Sequence, residues 1–162
     1  MASRRKARIM AFQALYFWEA SSADVSVEEL ISLTWIEEEK LIKIEDEITV
    51  FTRALIAGTI ENIEEVDSLI KKHLVNWDIS RLNRVDLAVL RMSVYSLIYQ
   101  QEIPPSIVID EAIGICREFG ADDSFKFVNG VLDNIKKTLQ NTGENCSSCK
   151  TKNKSQTVNK KP

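Results

Sequence analysis

Apolar residues recur along most of this chain at spacings of three and four, the pattern of helices that bury one face. Ser3–Ala20 places Ala11, Leu15 and Trp18 on one side, with Ala7 and Ala14 beside them. Ser26, followed three residues later by Glu29, forms a capping-box pattern that opens a short second helix. Ile44–Leu74 carries Ile48, Phe51, Leu55, Ile60, Ile63, Val66 and Ile70. It predicts one long helical region, with Gly58-Thr59 as a weak point or packing contact inside it. Asn76–Asn83 interrupts the periodicity and reads as a junction. Ser80 is placed to cap the next helix, whose stripe is Leu87, Leu90, Val94 and Leu97. Pro104-Pro105 ends that helix and opens another over Ser106–Phe119, because proline suits a first helical turn and not an interior. Gly120 is expected in the left-handed conformation just past that helix. Asp122 or Asp123 then caps a last helix, Ser124–Leu139, with the stripe Phe125, Val128, Leu132, Ile135 and Leu139. Asn129-Gly130 in its middle predicts close approach of a helix or ligand, since an interior glycine otherwise costs about 1 kcal/mol against alanine.

No segment alternates as a strand with hairpin turns. The predicted fold class is therefore all-α: two small helical bundles, residues 1–75 and 76–140, meeting near Trp77 to form one compact domain of about seven helices. Residues 141–162 hold almost no large apolar side chain beyond Val158. Such a segment cannot offset its chain entropy by burial and is expected to be a disordered tail.

Charge changes the picture. The net charge of the 162 residues is −3, but it is unevenly placed. The first 18 residues carry Arg4, Arg5, Lys6 and Arg8 and no acid. Asn141–Pro162 holds five lysines and one glutamate, which leaves 16 basic against 23 acidic residues, net −7, on residues 1–140. An acidic body argues against general adhesion to nucleic acid, and a local basic cluster on it argues for a directed anionic contact. No apolar run is long enough for a membrane span. Arg4-Arg5-Lys6 before Ile9–Trp18 imitates a signal peptide, but Gln13 and Glu19 interrupt it and a helix face explains it better. An odd count of three cysteines does not suit a disulfide framework, so the cytoplasm is the default compartment.

Four groups of residues are candidates for chemistry. A positive helix start opposes the helix dipole, so Arg4, Arg5, Lys6 and Arg8 suggest an anionic partner such as RNA phosphate, against the plain alternative of a solvated basic end. Phe127 lies off the stripe of the last helix, beside Lys126 and one turn from Asp123. A ring to stack a base next to a cation for phosphate suits single-stranded RNA, and packing against a neighbouring helix is the competing reading. Cys146 and Cys149 form half of a metal or redox motif, but no second pair exists, and Cys116 and the single His73 are remote in sequence. His73 is expected at a solvated helix end, and Glu37-Glu38-Glu39 as a solvated charge run. No phosphate-binding glycine loop or nucleophile elbow is present, which favours a non-enzymatic protein without cofactor or metal.

Four blocks in order resemble the NusB family of bacterial transcription antitermination factors. They are Arg4-Arg5-Lys6-Ala7-Arg8 with Gln13-Ala14-Leu15-Tyr16; Leu90-Arg91-Met92-Ser93-Val94-Tyr95; Ile103-Pro104 with Ile109-Asp110-Glu111-Ala112-Ile113; and Phe119-Gly120-Ala121 with Lys126–Asp133. They span about residues 3–137. Ser96 departs from the family, which often has Glu there. The resemblance implies a two-bundle helical fold that binds boxA-type single-stranded RNA of ribosomal RNA operon transcripts. It implies a partner, ribosomal protein NusE, and assembly with NusA, NusG and RNA polymerase to suppress premature termination. By position, Arg4, Arg5, Lys6, Arg8, Phe119, Asp123, Lys126 and Phe127 would meet RNA, and Tyr16 and Asp86 would meet NusE. Self-association is left open. NusB-like domains also precede ribosomal RNA methyltransferases, but only Lys/Asn/Ser-rich sequence follows here. A pure protein–protein scaffold is the third reading.

Overall fold

The computed structural model describes residues 2–22 and 24–147, with side chains described up to residue 143; residues 1, 23 and 148–162 lie outside it. Among the described residues there are eight α-helices, one 3₁₀ turn and no strand. The helices are α1 (Ala2–Ala20), α2 (Val27–Ile31), α3 (Glu38–Leu41), α4 (Asp46–Glu61), α5 (Ile63–His73), α6 (Arg84–Tyr99), α7 (Pro105–Phe119) and α8 (Ser124–Ser147). The expected all-α class is observed. No described helix is long and apolar enough to cross a membrane.

The stripes read from the sequence form the core. Ala7, Ala11, Ala14 and Leu15 of α1, Leu55 of α4, Val66 and Ile70 of α5, Leu90 and Val94 of α6, and Val128, Leu132 and Ile135 of α8 are all buried in one continuous cluster. Helix α6 lies at its centre, packed against α1, α4, α5, α7 and α8.

Several local expectations are corrected. The long central region is broken at Asn62, not at Gly58-Thr59. Asn62 leaves helical geometry, and its backbone N–H and side-chain amide both donate to the carbonyl of Gly58, at 3.2 and 2.8 Å. The side chain thus competes with the helix ladder for one acceptor. Gly58 is instead a packing contact: a Cβ there would collide with the ring of Tyr95 on α6. The junction caps are also different. Asp78 accepts from Ser80 N–H (2.9 Å) over a 3₁₀ turn at Ile79–Arg81, and Asn83 caps α6 by accepting from Val85 N–H (2.9 Å). The capping box at Ser26 and Glu29 is present, with both hydrogen bonds made, at 3.1 and 3.2 Å.

Gly120 is extended (φ −90°, ψ 178°), not left-handed. Glycine is needed there for space, because a Cβ would sit 2.6 Å from the Cys116 carbonyl oxygen. Gly130 is exposed, with nothing within 4 Å of a Cβ, so close helix packing does not explain it. Neither Asp122 nor Asp123 caps α8 through its side chain; the Ser124 hydroxyl accepts from Ala121 N–H (3.1 Å), and Asp123 pairs with Lys126. His73 is not solvated: it bridges α5 and α8, with Nδ1 2.9 Å from the Leu69 carbonyl and Nε2 2.8 Å from the Thr138 hydroxyl. The turn α3 was read only as a charge run; its residues are exposed or half-buried. Helix α8 continues to Ser147, past residue 140, where the tail was expected to begin. The remaining tail, with Cys149, lies outside the described residues.

Candidate RNA and partner surface

The basic start of α1 divides into three environments. Arg4 and Lys6 are exposed. Arg5 lies across α7, where its guanidinium meets Glu118 at 3.2 Å and Glu111 at 3.7 Å. Gly114 makes room for it: a Cβ there would stand 2.6 Å from Arg5 Nη1. Arg8 is 4% exposed and stacks on Phe51 of α4, 5.4 Å from the ring centroid. Its Nη2 has no hydrogen-bond partner, and neither has the buried Oε2 of Glu111. Burial lowers the Arg8 pKa, with the charge of Glu111 acting against that shift and Arg4 adding to it. Helix α1 therefore offers two fully exposed cations, Arg4 and Lys6, a part-exposed one in Arg5 that is paired with acids of α7, and a buried one in Arg8. Arg4 also faces Phe51, at 5.5 Å, and lines a cleft between α1 and α4 that the exposed Val50 borders.

Aromatic rings continue along the same helix. Phe12 is buried, and it touches Tyr16 edge-on at 6.5 Å and Phe119 at 5.4 Å. Tyr16 and Phe119 are 38% and 37% exposed, and Phe17 beside them 52%. Tyr16 is therefore a surface ring with an apolar foundation, not a core residue. The end of α7 carries Phe119 to α1, so this ring joins the surface of Tyr16.

The other predicted residues meet elsewhere. The loop between α7 and α8 faces the junction before α6 across an open groove lined by Trp77, Arg81, Asp86, Asp122, Asp123 and Phe127, among others. Phe127 is half-buried, with one side against the core and one in this groove. Lys126 is exposed, 3.4 Å from Asp123 and 5.8 Å from the Phe125 ring centroid. Asp86, read as a partner residue, sits in the same groove as Asp123 and Phe127, read as RNA residues. It is 8% exposed, and its Oδ1 has no hydrogen-bond partner. Burial pushes its carboxyl above the usual range, and the polar influence of Ser124 pulls partly back. An unsatisfied buried carboxylate at a groove is costly in the free protein and ready for a donor from outside.

Trp77 was expected only as the meeting point of the two bundles, and Arg81 carried no expectation; the available signal was a Trp four residues before an Arg in a junction without periodicity. The carboxylates that hold Arg5 gave no such signal, because they lie more than 100 residues away in the chain. Among the described residues no His, Cys, Asp and Glu cluster could hold a metal ion.

Comparison with known proteins gives a consistent result. The sequence profile described as the NusB family matches residues 5–137. The transcription antitermination protein NusB of Treponema pallidum is 50% identical over 135 residues, covering 83% of this chain and 93% of that protein. T. maritima NusB superposes with a TM-score of 0.74 at 35% identity, covering 83% of this chain and 90% of that one. A structure of antitermination factors NusB and NusE in complex with dsRNA also superposes at 0.74, with 33% identity and coverage of 85% and 98%.

Proposed function

This chain belongs to the NusB family, and from that premise we propose that it is a transcription antitermination factor, not an enzyme, that binds RNA together with ribosomal protein NusE. The RNA is boxA-type sequence in ribosomal RNA operon transcripts, and the assembled complex includes NusA, NusG and RNA polymerase. The observation that carries this reading is the shared fold with a NusB–NusE–RNA complex at 33% identity over 85% of the chain. The RNA in that complex is double-stranded; the single-stranded preference proposed here rests on exposed rings set beside cations.

The geometry refines the roles. Arg4 and Lys6 supply phosphate contacts from the accessible face of α1, while Arg5 and Arg8 fix that helix against α7 and α4. Phe119, Phe127 and Lys126 provide rings and a cation for unpaired bases, and Asp123 sets the charge beside them. Tyr16 and Asp86 meet NusE, where a cationic or N–H donor from the partner would satisfy Asp86 Oδ1. Fluorescence-anisotropy titration of a boxA-type RNA, with and without NusE, tests the reading. Tighter, sequence-dependent binding in the presence of NusE is expected. Equal binding of boxA-type and scrambled RNA under both conditions would overturn it.

A further inference from the structure

The most exposed of the large aromatic side chains among the described residues is not on any helix proposed to meet RNA. Trp77 is 61% exposed and belongs neither to the core nor to the residues packed on it. Asn76, in the left-handed conformation at φ 60°, turns the chain at the end of α5 and delivers Trp77 to the surface. The indole stands between two grooves. On one side is the groove of Phe127; on the other is a shallower one lined by Lys71, Asn76, Asp78, Ile79 and Arg81. Arg81 borders both. Lys71 and Arg81 are exposed, and no ion pair engages either of them. Asp78 lies in the same outer groove; its carboxylate accepts the N–H of Ser80, and that bond, with the charges of Arg81 and Lys71, holds its pKa below the usual range. The remaining carboxylates, Asp86, Asp122 and Asp123, lie in the groove of Phe127. The outer groove thus holds two exposed cations against one carboxylate, and the groove of Phe127 holds three carboxylates with Arg81 at its border.

We propose that Trp77 is a second base-stacking platform, which extends the RNA path beyond Phe127, with Lys71 and Arg81 holding the phosphates that flank the stacked nucleotide. The ligand class is single-stranded RNA without sequence requirement at this position, because a stacking ring accepts any base while a free cation reads only phosphate. The arrangement also explains why an acidic protein leaves these cations unpaired: they complement a polyanion running past the ring. This subsite rests on the RNA-binding reading above and adds to its length.

The test uses the full chain with NusE and two probes, a short boxA-type RNA and the same RNA extended with uridines at either end. Extension should tighten binding by the wild-type protein. Trp77→Ala should remove that gain, so that the variant binds extended and short RNA alike, a loss of roughly five- to hundredfold in the ratio of the two affinities, and Trp77→Phe should restore most of it. Lys71→Ala, exposed and confined to the outer groove, should flatten the salt dependence for the extended RNA by about 0.7 log units per log unit of salt and leave the short RNA unaffected. A wild type that gains nothing from extension, or a Trp77→Ala variant that keeps the full gain with a Lys71→Ala variant that keeps the full slope, overturns the subsite. Loss of NusE binding in Trp77→Ala overturns it in favour of a protein contact. Failure of wild type to bind even the short RNA overturns the RNA reading itself, and is thereby distinguishable from failure of the subsite alone.

Discussion

Arg91 of α6 grips Asp67 of α5 through two parallel hydrogen bonds, Nε to Oδ1 at 2.8 Å and Nη2 to Oδ2 at 2.9 Å. Its third nitrogen reaches Glu19 of α1 at 2.7 Å, and the guanidinium lies 5.8 Å from the Trp18 ring centroid. One side chain therefore ties three helices together. Replacement by Met keeps the stem but leaves Asp67 a largely buried charge with no partner. Arg91→Met should cost about 3 kcal/mol in chemical denaturation. Arg91→Lys should recover only part of this, because an ammonium cannot reproduce the planar fork. A Met variant as stable as wild type would show that the three helices are held by apolar packing alone.

The buried Asp86 should trade stability for binding. Its folded-state pKa is raised above the unfolded value, so the protonated form is favoured by folding. Its contribution to stability is fully present below the unfolded pKa and lost as pH rises through the folded pKa. Asp86→Asn removes that loss and should raise stability at neutral pH by about 1 kcal/mol. The advantage should vanish when wild type is also protonated, at pH below the ordinary carboxylate range. The same variant should weaken NusE binding. Thermal melts across pH together with a pull-down read both halves, and a variant less stable than wild type at neutral pH would contradict the assignment.

The cations of α1 should separate by accessibility. Arg4→Ala with Lys6→Ala should reduce the log–log salt slope of RNA binding by about 1.4, two phosphate contacts at about 0.7 each. Arg8→Ala should leave the slope unchanged and cost about 1–2 kcal/mol of stability instead, because it removes a buried side chain packed on the Phe51 ring. A slope change with Arg8→Ala equal to that of the exposed pair would place Arg8 on the RNA.

Cys116 is fully buried, and desolvation, with the charge of Asp86 adding to it, pushes its thiol up to about 12. In a Cys146→Ser/Cys149→Ser background the remaining thiol should resist an aromatic disulfide reagent at pH 8 and react at the rate of unfolding, since only thiolate attacks. Prompt labelling of the native protein would show that the α6–α7–α8 core opens locally.

The helices were legible wherever one face is buried and the other wet. Leu132 and Ile135 announce α8 because Asn129 and Asn134 between and around them are exposed. Legibility fails where a decision is made by a distant residue. Nothing near Arg8 in the sequence says that Phe51 will cover it, or near His73 that Thr138 will receive it. The break at Asn62 and the cap at Asn83 were missed for a related reason: an Asn side chain can bond to local backbone in several ways, and the tertiary packing selects one. Of the candidate site, helix periodicity set Phe127 apart and the family pattern suggested Tyr16 and Asp86, but only the fold reveals that Asp86 and Phe127 share one groove.

From Asp86 to Val94, nine consecutive residues of α6 are buried. A helix enclosed around its whole circumference has no face of its own to give to either group of neighbours. Cut at residue 75, the amino-terminal half would expose the apolar walls that enclosed it, and the carboxy-terminal half would keep a greasy rod covered on one side only. Neither piece is an autonomous folding unit. The chain should melt in a single transition whose calorimetric and van't Hoff enthalpies agree, so damage at one end of the molecule is felt at full strength at the other.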